Sequence, residues 1–324
     1  MNIIGRQEEI GIGVESVRGT PTTASRWFKK LTASILPRAE KAVDESSMGV
    51  LEDSQGARIT KKWSDGDIEG YLHADMIGYI LLNLYGSVDS SIVASGVYSH
   101  EFTLEQSLEH ASLSIFRKDG DIISEKYGGG VVNTLELSAK AGEYIKAVVN
   151  IILGTSATST EVPTYGTEYD FIGRDISIKI ADTEAGLTGA TAMTVKGFSL
   201  KINANAITDH KFGSYNPDIY NSALGIELEV MKNFEDSTFE ALYKANTYKY
   251  VQIKIEGEAD LGSGNKPTLT MLLNKAQITN WDRSADANAL SEETVTFKAF
   301  YNATDTQASS IVLQNKTVSY AIGS

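Results

Sequence analysis

A chain of 324 residues, 42% of them hydrophobic and 22% charged, is long enough for two ordinary domains and apolar enough to bury a sizeable core. Its formal charge of −13, from 29 basic against 42 acidic residues, excludes a protein that grips nucleic acid by its phosphates, which calls for the opposite sign. The absence of cysteine excludes disulfides, thiol catalysis and cysteine metal sites, and suits folding in a reducing cytoplasm.

The opening, "MNIIGRQEEIGIGVES", carries two early acids and no apolar h-region, so no ordinary signal peptide is expected. No apolar run approaches the roughly 20 residues that span a bilayer. Residues 1–26, ending in "RGTPTTAS", read as an extended N-terminal arm with little core of its own. A first domain is expected over 27–155. It begins with a strand from Phe28, a long polar loop over Arg38–Gln55 and the stretch "GARITKKWSDGD", Gly56 to Asp67. "DIEGYLHADMIGYILLNLYG" then predicts a helix starting near Ile68, with Asp65 and Asp67 as possible N-caps. Alternating segments at Ala111–Arg117, Asn133–Lys140 and Lys146–Leu153 predict strands, separated by turns at Lys118–Asp121 and Tyr127–Gly130. Within "NTLELSAK", alternation buries Leu135 and Leu137 and turns Thr134, Glu136 and Ser138 the other way.

Residues 156–170 fall in a Ser-, Thr-, Gly- and Pro-rich stretch expected to be a linker, and a second domain is expected over 171–324. Its strands are predicted at Asp175–Ala181, Val195–Ala204, Gly225 onward, Tyr250–Gly257, Thr268–Leu273, Glu293–Tyr301 and Ile311–Tyr320, with a polar loop over Thr208–Ala223 and a helix from Thr238. The fold class is therefore mainly β: two tandem antiparallel β-sandwich or barrel domains, each with one flanking helix.

Two stretches suggest that the halves are copies. "GIELEVMKNFED", Gly225 to Asp236, shares its length and end residues with "GARITKKWSDGD", at a constant offset of 169. At an offset of 171, Glu69 falls on Glu240, Ala74 on Ala245 and Tyr79 on Tyr250. The order strand, long polar loop, strand, helix, several strands then occurs twice, as a diverged tandem duplication leaves it.

No catalytic constellation is evident. His73, His100, His110 and His210 form no ligand-spaced pair and read as surface or capping residues. "DRSADANALSEE" places Asp282, Ser284, Asp286, Asn288 and Glu293 at calcium-loop positions, but Ala287 stands where the sharp turn calls for glycine, so a polar loop between strands is the reading. No cofactor is expected.

The layout "GVESVRGTP" (Gly13–Pro21), "ESSMGVLEDSQGARITKKWSDGDIEGYL" (Glu45–Leu72) and "YSHEFTL" (Tyr98–Leu104) resembles the tail tube proteins of long-tailed bacteriophages. So do "FSLKINANAITDHKFGSYNP" (Phe198–Pro217) and "ITNWDRSADANALSEETVTFKAFY" (Ile278–Tyr301). The resemblance implies a virion protein, assembled in the host cytoplasm, whose rings stack into a hollow tail tube through which double-stranded DNA passes without specific binding. Its partners would be itself, a tape measure protein and tail tip and terminator proteins. Most such chains carry one tube domain and form sixfold rings; two domains per chain imply three chains per ring. The two polar loops then supply inter-ring contacts through Lys41, Asp44, Glu45, Glu52, Asp53, Asp209, His210, Lys211 and Asp218, while Thr134, Glu136 and Ser138 line the lumen. The competing readings are the inner tube of a contractile tail or injection device and a carbohydrate-binding, adhesin-like β-sandwich. The fifteen tyrosines are scattered rather than clustered, which disfavours the last.

Overall fold

Alternation of apolar and polar residues draws most of the chain into antiparallel ladders in the computed structural model, which describes residues 4–321. The first half contributes β1 (Glu8–Val14), β2 (Arg26–Trp27), β3 (Lys30–Asp44), β4 (Gly56–Tyr71), helix α1 (Ile77–Tyr85), β5 (Gly86–Ala94), β6 (Val97–Leu104), β7 (Leu113–Asp119), β8 (Ile123–Lys140), β9 (Lys146–Leu153) and β10 (Ser156–Thr158). The second contributes β11 (Ile176–Ala181), β12 (Gly197–Asn203), β13 (Ile207–Asp209), β14 (Asp218–Tyr220), β15 (Gly225–Asn233), α2 (Thr238–Ala245), β16 (Tyr248–Glu256), β17 (Thr268–Ser284), β18 (Glu292–Ala299) and β19 (Ser309–Asn315). Among the described residues no helix is long and apolar enough to cross a membrane.

One pairing scheme recurs along the chain. β1 pairs with β7, β7 with β8, β8 with β9, β9 with β4 and β4 with β3. In the same sequence of steps, β11 pairs with β16, β16 with β17, β17 with β18, β18 with β15 and β15 with β12. The irregularities recur too. The β7–β8 ladder skips Ser114 where β16–β17 skips Tyr250, and β8–β9 skips Asn133 where β17–β18 skips Thr279. Val149 faces Leu135 on one side and Ile68 on the other, as Val295 faces Trp281 and Val230.

These ladders correct the repeat read from sequence. Ile68 corresponds to Val230, an offset of 162, so the partner of Gly225 is Trp63 and not Gly56. The helix expected near Ile68 is also misplaced: Ile68 sits buried in β4, and the helix starts at Ile77. Glu69 is therefore a strand residue and Glu240 a helical one, and Tyr79 is helical where Tyr250 lies in a strand. The alternation of "SDGDIEGY" places Ile68 toward the core between Asp67 and Glu69, and that packing outweighs the capping tendency of the aspartates.

Other expectations change as well. Residues 8–14 are not an arm: β1 pairs with β7 along seven positions and buries Ile10 and Ile12 completely. Tyr127–Gly130 lies inside β8 rather than in a turn, with Gly129 at a φ of +66°. Within the expected linker, Ser156–Thr158 pairs with β8. The first part of the expected Arg38–Gln55 loop, Arg38–Asp44, is instead strand, extending the β3–β4 hairpin out to Asp44 opposite Gly56, and 45–55 form its tip. His73, His100 and His110 are buried rather than on the surface, because segments distant in sequence fold over them. His110 does cap: its Nδ1 lies 3.0 Å from the carbonyl of Asn83 in the last turn of α1.

Every residue of α1 is buried. The β5–β6 hairpin, which has no counterpart after α2, lies along it and pairs through β6 with β19. The C-terminal Tyr320 closes over the same helix, its ring edge-on to Tyr79 at 4.9 Å. Its hydroxyl donates to the Asp75 carbonyl and accepts from Asn315 Nδ2, each at 2.7 Å. By contrast α2 buries only Phe239.

Candidate functional site

The two halves meet edge to edge. β8 pairs with β12 from Thr134 opposite Asn203 to Lys140 opposite Gly197. That ladder joins the two recurring sets into one run of eight antiparallel strands, β3, β4, β9, β8, β12, β15, β18 and β17.

A single alternation governs the whole run. One face packs inward with Leu135, Leu137, Leu200, Ile202, Leu228, Val230, Val295 and Phe297 all buried. Each such side chain contributes about 1.5–3 kcal/mol relative to exposure. A one-residue slip would turn this set to water, so the register, and with it the opposite face, is firmly specified. Thr134, Glu136 and Ser138 point to that opposite face, half-buried, as alternation predicts. Glu136 lies opposite Lys201 and accepts a 3.3 Å hydrogen bond from Ser199 Oγ.

The polar face is predominantly acidic. β4 brings Asp65, Asp67 and Glu69 to it, β15 brings Glu227 and Glu229, and β17 and β18 bring Asp282 and Glu292. The bases among them are largely engaged. Arg38 pairs with Asp65 at 2.8 Å, Lys146 with Glu69 at 3.6 Å and Lys298 with Glu227 at 3.7 Å. These exposed pairs add little stability; among the described residues Glu136, Glu229 and Asp282 form no salt bridge, although Lys201 stands directly across the ladder from Glu136.

The expected inter-ring residues divide into two groups. Lys41 and Asp44 lie on β3, while Glu45, Glu52 and Asp53 occupy the tip at 45–55. Met48, Val50 and Leu51 stand exposed there, and the Asp44 carboxylate, accepting from Ser46 Oγ at 2.6 Å, is held below the usual carboxylate range. Asp209 and Asp218 face each other across the β13–β14 hairpin. Lys211 bonds to Asp218, which lowers the Asp218 pKa and raises that of Lys211. This second group leans on the base of the first. His210 stacks edge-on against Trp63 at 5.8 Å, and the Tyr215 carbonyl accepts from the Lys62 amide at 2.9 Å.

The calcium-like loop is otherwise employed. Glu293, fully buried, accepts from Trp281 Nε1 at 2.9 Å and from Lys232 Nζ at 3.2 Å, so its carboxylate is turned into the fold. A second buried charge group was not foreseen from sequence, because its members lie far apart in the chain. Arg26 bonds to Glu168 at 2.9 Å and reaches Asp75 at 4.0 Å, near His73 and Asp170. Burial pushes the Glu168 carboxyl up to about 7, against the pull of Arg26 and with the help of Asp75.

A family model described as phage tail tube protein matches residues 5–311. The chain belongs to the phage tail tube family. No curated protein matches the sequence. As a phage tail tube protein the chain is a structural component of the virion tail, where it associates with its own copies and with other tail components. The polar sheet face, the long β3–β4 hairpin and the two ends of the eight-strand run are the surfaces available for that role.

Proposed function

We propose that this tail tube protein carries two tandem tube domains, β1–β10 and β11–β19, and that three chains close into a ring with approximate sixfold symmetry. Rings stack into the tube, and the acidic sheet face lines the channel for DNA. The observation that carries this reading is the eight-strand run itself. It has one buried face, one acidic face and an unpaired edge at each end, on β3 and on the C-terminal part of β17. Open edges of that kind are satisfied when copies add head to tail and the rotation closes.

The size of the bore selects the number of copies. Three chains give a wall of about 24 strands, which at ~4.8 Å spacing and a tilt of about 40° has a backbone diameter of about 48 Å. Side chains reaching on the order of 5 Å inward leave a bore of about 38 Å. Two chains leave only about 22 Å, barely the width of a bare duplex. Carboxylates such as Glu136 and Asp282 repel phosphates over about 8–10 Å at physiological salt, which keeps moving DNA from sticking to the wall. The tip at 45–55, with the β13–β14 hairpin braced against its base, reaches the neighbouring ring.

Native mass measurement of isolated rings, with symmetry analysis of tube images, tests the reading. Three chains per ring are expected, and six chains per ring refute the trimer.

A further inference from the structure

The ladder that joins the halves inside one chain also specifies the ladder between chains. β8 corresponds to β17 through their shared skips, with Asn133 matching Thr279, so Thr134–Ser138 corresponds to Asn280–Ser284. β12 corresponds to β3 through their partners, because Leu200 faces Leu228 as Ile35 faces Gly66. In the first pair these edges meet. In the second they stay open, and exposure differs accordingly. Leu137 and Ile202 are buried, whereas their counterparts Arg283 and Pro37 are exposed; Ile35, the counterpart of Leu200, is already buried within its own chain.

We propose that β3 of one copy adds antiparallel to the C-terminal part of β17 of a second copy, with Ser34 opposite Ser284. This rests on the ring reading above and adds the surface, the partner and the register. Transferring the β8–β12 pairs places Arg283 opposite Ile35, Asp282 opposite Leu36 and Asn280 opposite Arg38. Arg38 then lies diagonal to Asp282 on the polar face, an opposite-charge arrangement that favours this register.

The backbone is poised for it. The Lys62 amide points away from β3 to Tyr215, so Lys62 and Ala39 do not exchange bonds. By alternation Ala33 and Ile35 turn their N–H and C=O groups away from β4, although Ile35 itself is only 1% exposed. In the intrachain ladder the bonds from Ala204 N to Asn133 O and from Ala141 N to Lys196 O make Leu200 and Leu137 a hydrogen-bonded pair. Ile35 and Arg283 inherit that position. The Ile35 carbonyl now receives a long 3.4 Å bond from Arg117, which leaves its second lone pair for a strand partner. Pro37 withholds one donor at this edge. Proline there is tolerated because the edge is open in the free chain, and it guards that edge against indiscriminate pairing.

Ser34 and Ser284 form a pair without mutual hydrogen bonds, in which Cα atoms lie about 4.5 Å apart, within reach of a disulfide. The cysteine-free chain makes the test direct. Tubes of the double variant Ser34→Cys/Ser284→Cys, oxidised and run without reductant, are expected to give covalent dimers and then trimers as the main product. The shifted pair Ser34→Cys/Asp282→Cys should link several-fold less. Ser138→Cys/Ser199→Cys, built on the intrachain template, should close within one chain and migrate as monomer. Tubes whose Ser34/Ser284 cysteines stay unlinked while the Ser138/Ser199 pair oxidises overturn the junction and leave the tube intact as a reading. Stronger linking by the shifted pair overturns the register. Failure of the unmodified protein to form rings removes the tube reading, and the junction with it.

Discussion

Gly78 offers the sharpest test of how the second half is fastened onto the first. It lies in the first turn of α1, and a Cβ placed there would come within 2.1–2.5 Å of the Tyr320 ring carbons Cζ, Cε2 and Cε1, far closer than the 3.0 Å that real Cβ contacts respect. In an unencumbered helix Gly→Ala stabilises by about 1 kcal/mol. Here the methyl group must evict an aromatic side chain that is 1% exposed and hydrogen-bonded to Asp75 and Asn315. Losing such a buried ring costs about 3–5 kcal/mol, so Gly78→Ala should destabilise by about 2–4 kcal/mol net. In a Tyr320→Ala background the clash is gone, and the same substitution should instead stabilise by up to about 1 kcal/mol. Urea denaturation of the unassembled chain, followed by tryptophan fluorescence across the four members of the cycle, reads both signs. Simple additivity, or a cost for Gly78→Ala below about 1 kcal/mol in the otherwise unchanged chain, would falsify the seating of Tyr320 on Gly78.

Three further outcomes follow from the buried charges and the hairpin. Glu168 has a folded pKa of about 7 against an ordinary 4.5, so its contribution is fully present below pH 4.5 and is lost as pH rises through 7. At pH 8 Glu168→Gln should therefore be more stable than the unmodified chain, by up to about 3 kcal/mol, with the gap closing by pH 5; thermal melts showing the unmodified chain ahead at pH 8 would contradict this. Glu293→Ala leaves the Lys232 ammonium and the Trp281 N–H short of a partner and should cost about 3–5 kcal/mol in chemical denaturation, whereas a cost within 1 kcal/mol would mean the group is not buried as described. Deleting residues 41–52 removes most of the tip while β4 keeps its β9 partner, so rings should form and fail to stack; undiminished tube growth in electron micrographs sinks the inter-ring role.

The strands were legible wherever alternation had something to alternate against. "NTLELSAK" gave the inward Leu135 and Leu137 and the outward Glu136 because one face packs on a core and the other does not. "SDGDIEGY" misled because Asp65 and Asp67 carry a helix-start signal, while the strand preference of Ile68 comes from packing against β9. The recurrence of the pairing scheme shows in the ladders, but its register was hidden in the sequence. Val149 and Val295 keep their identity, but Ile68 and Val230, or Ile151 and Phe297, keep only their inward direction, and core positions tolerate such exchanges. A match of end residues in "GARITKKWSDGD" could not outweigh pairing information that resides in partner strands. The Arg26, Glu168 and Asp75 group and the open edge at Ser34 and Ser284 were invisible for the same reason, since each is created by topology. Pro37 within β3 was the one local sign of an edge.

The β8–β12 ladder lies within one polypeptide, so it forms by a unimolecular step at an effective concentration set by the connecting chain and not by how much protein the cell holds. In a ring of three such chains, half of the joints survive any dilution, and closure requires three encounters where six separate domains require six. Each encounter avoided spares the translational and rotational entropy of fixing another free body, several kcal/mol apiece. Under the proposed ring of three chains, nucleation is therefore expected at lower chain concentrations than six separate domains would need.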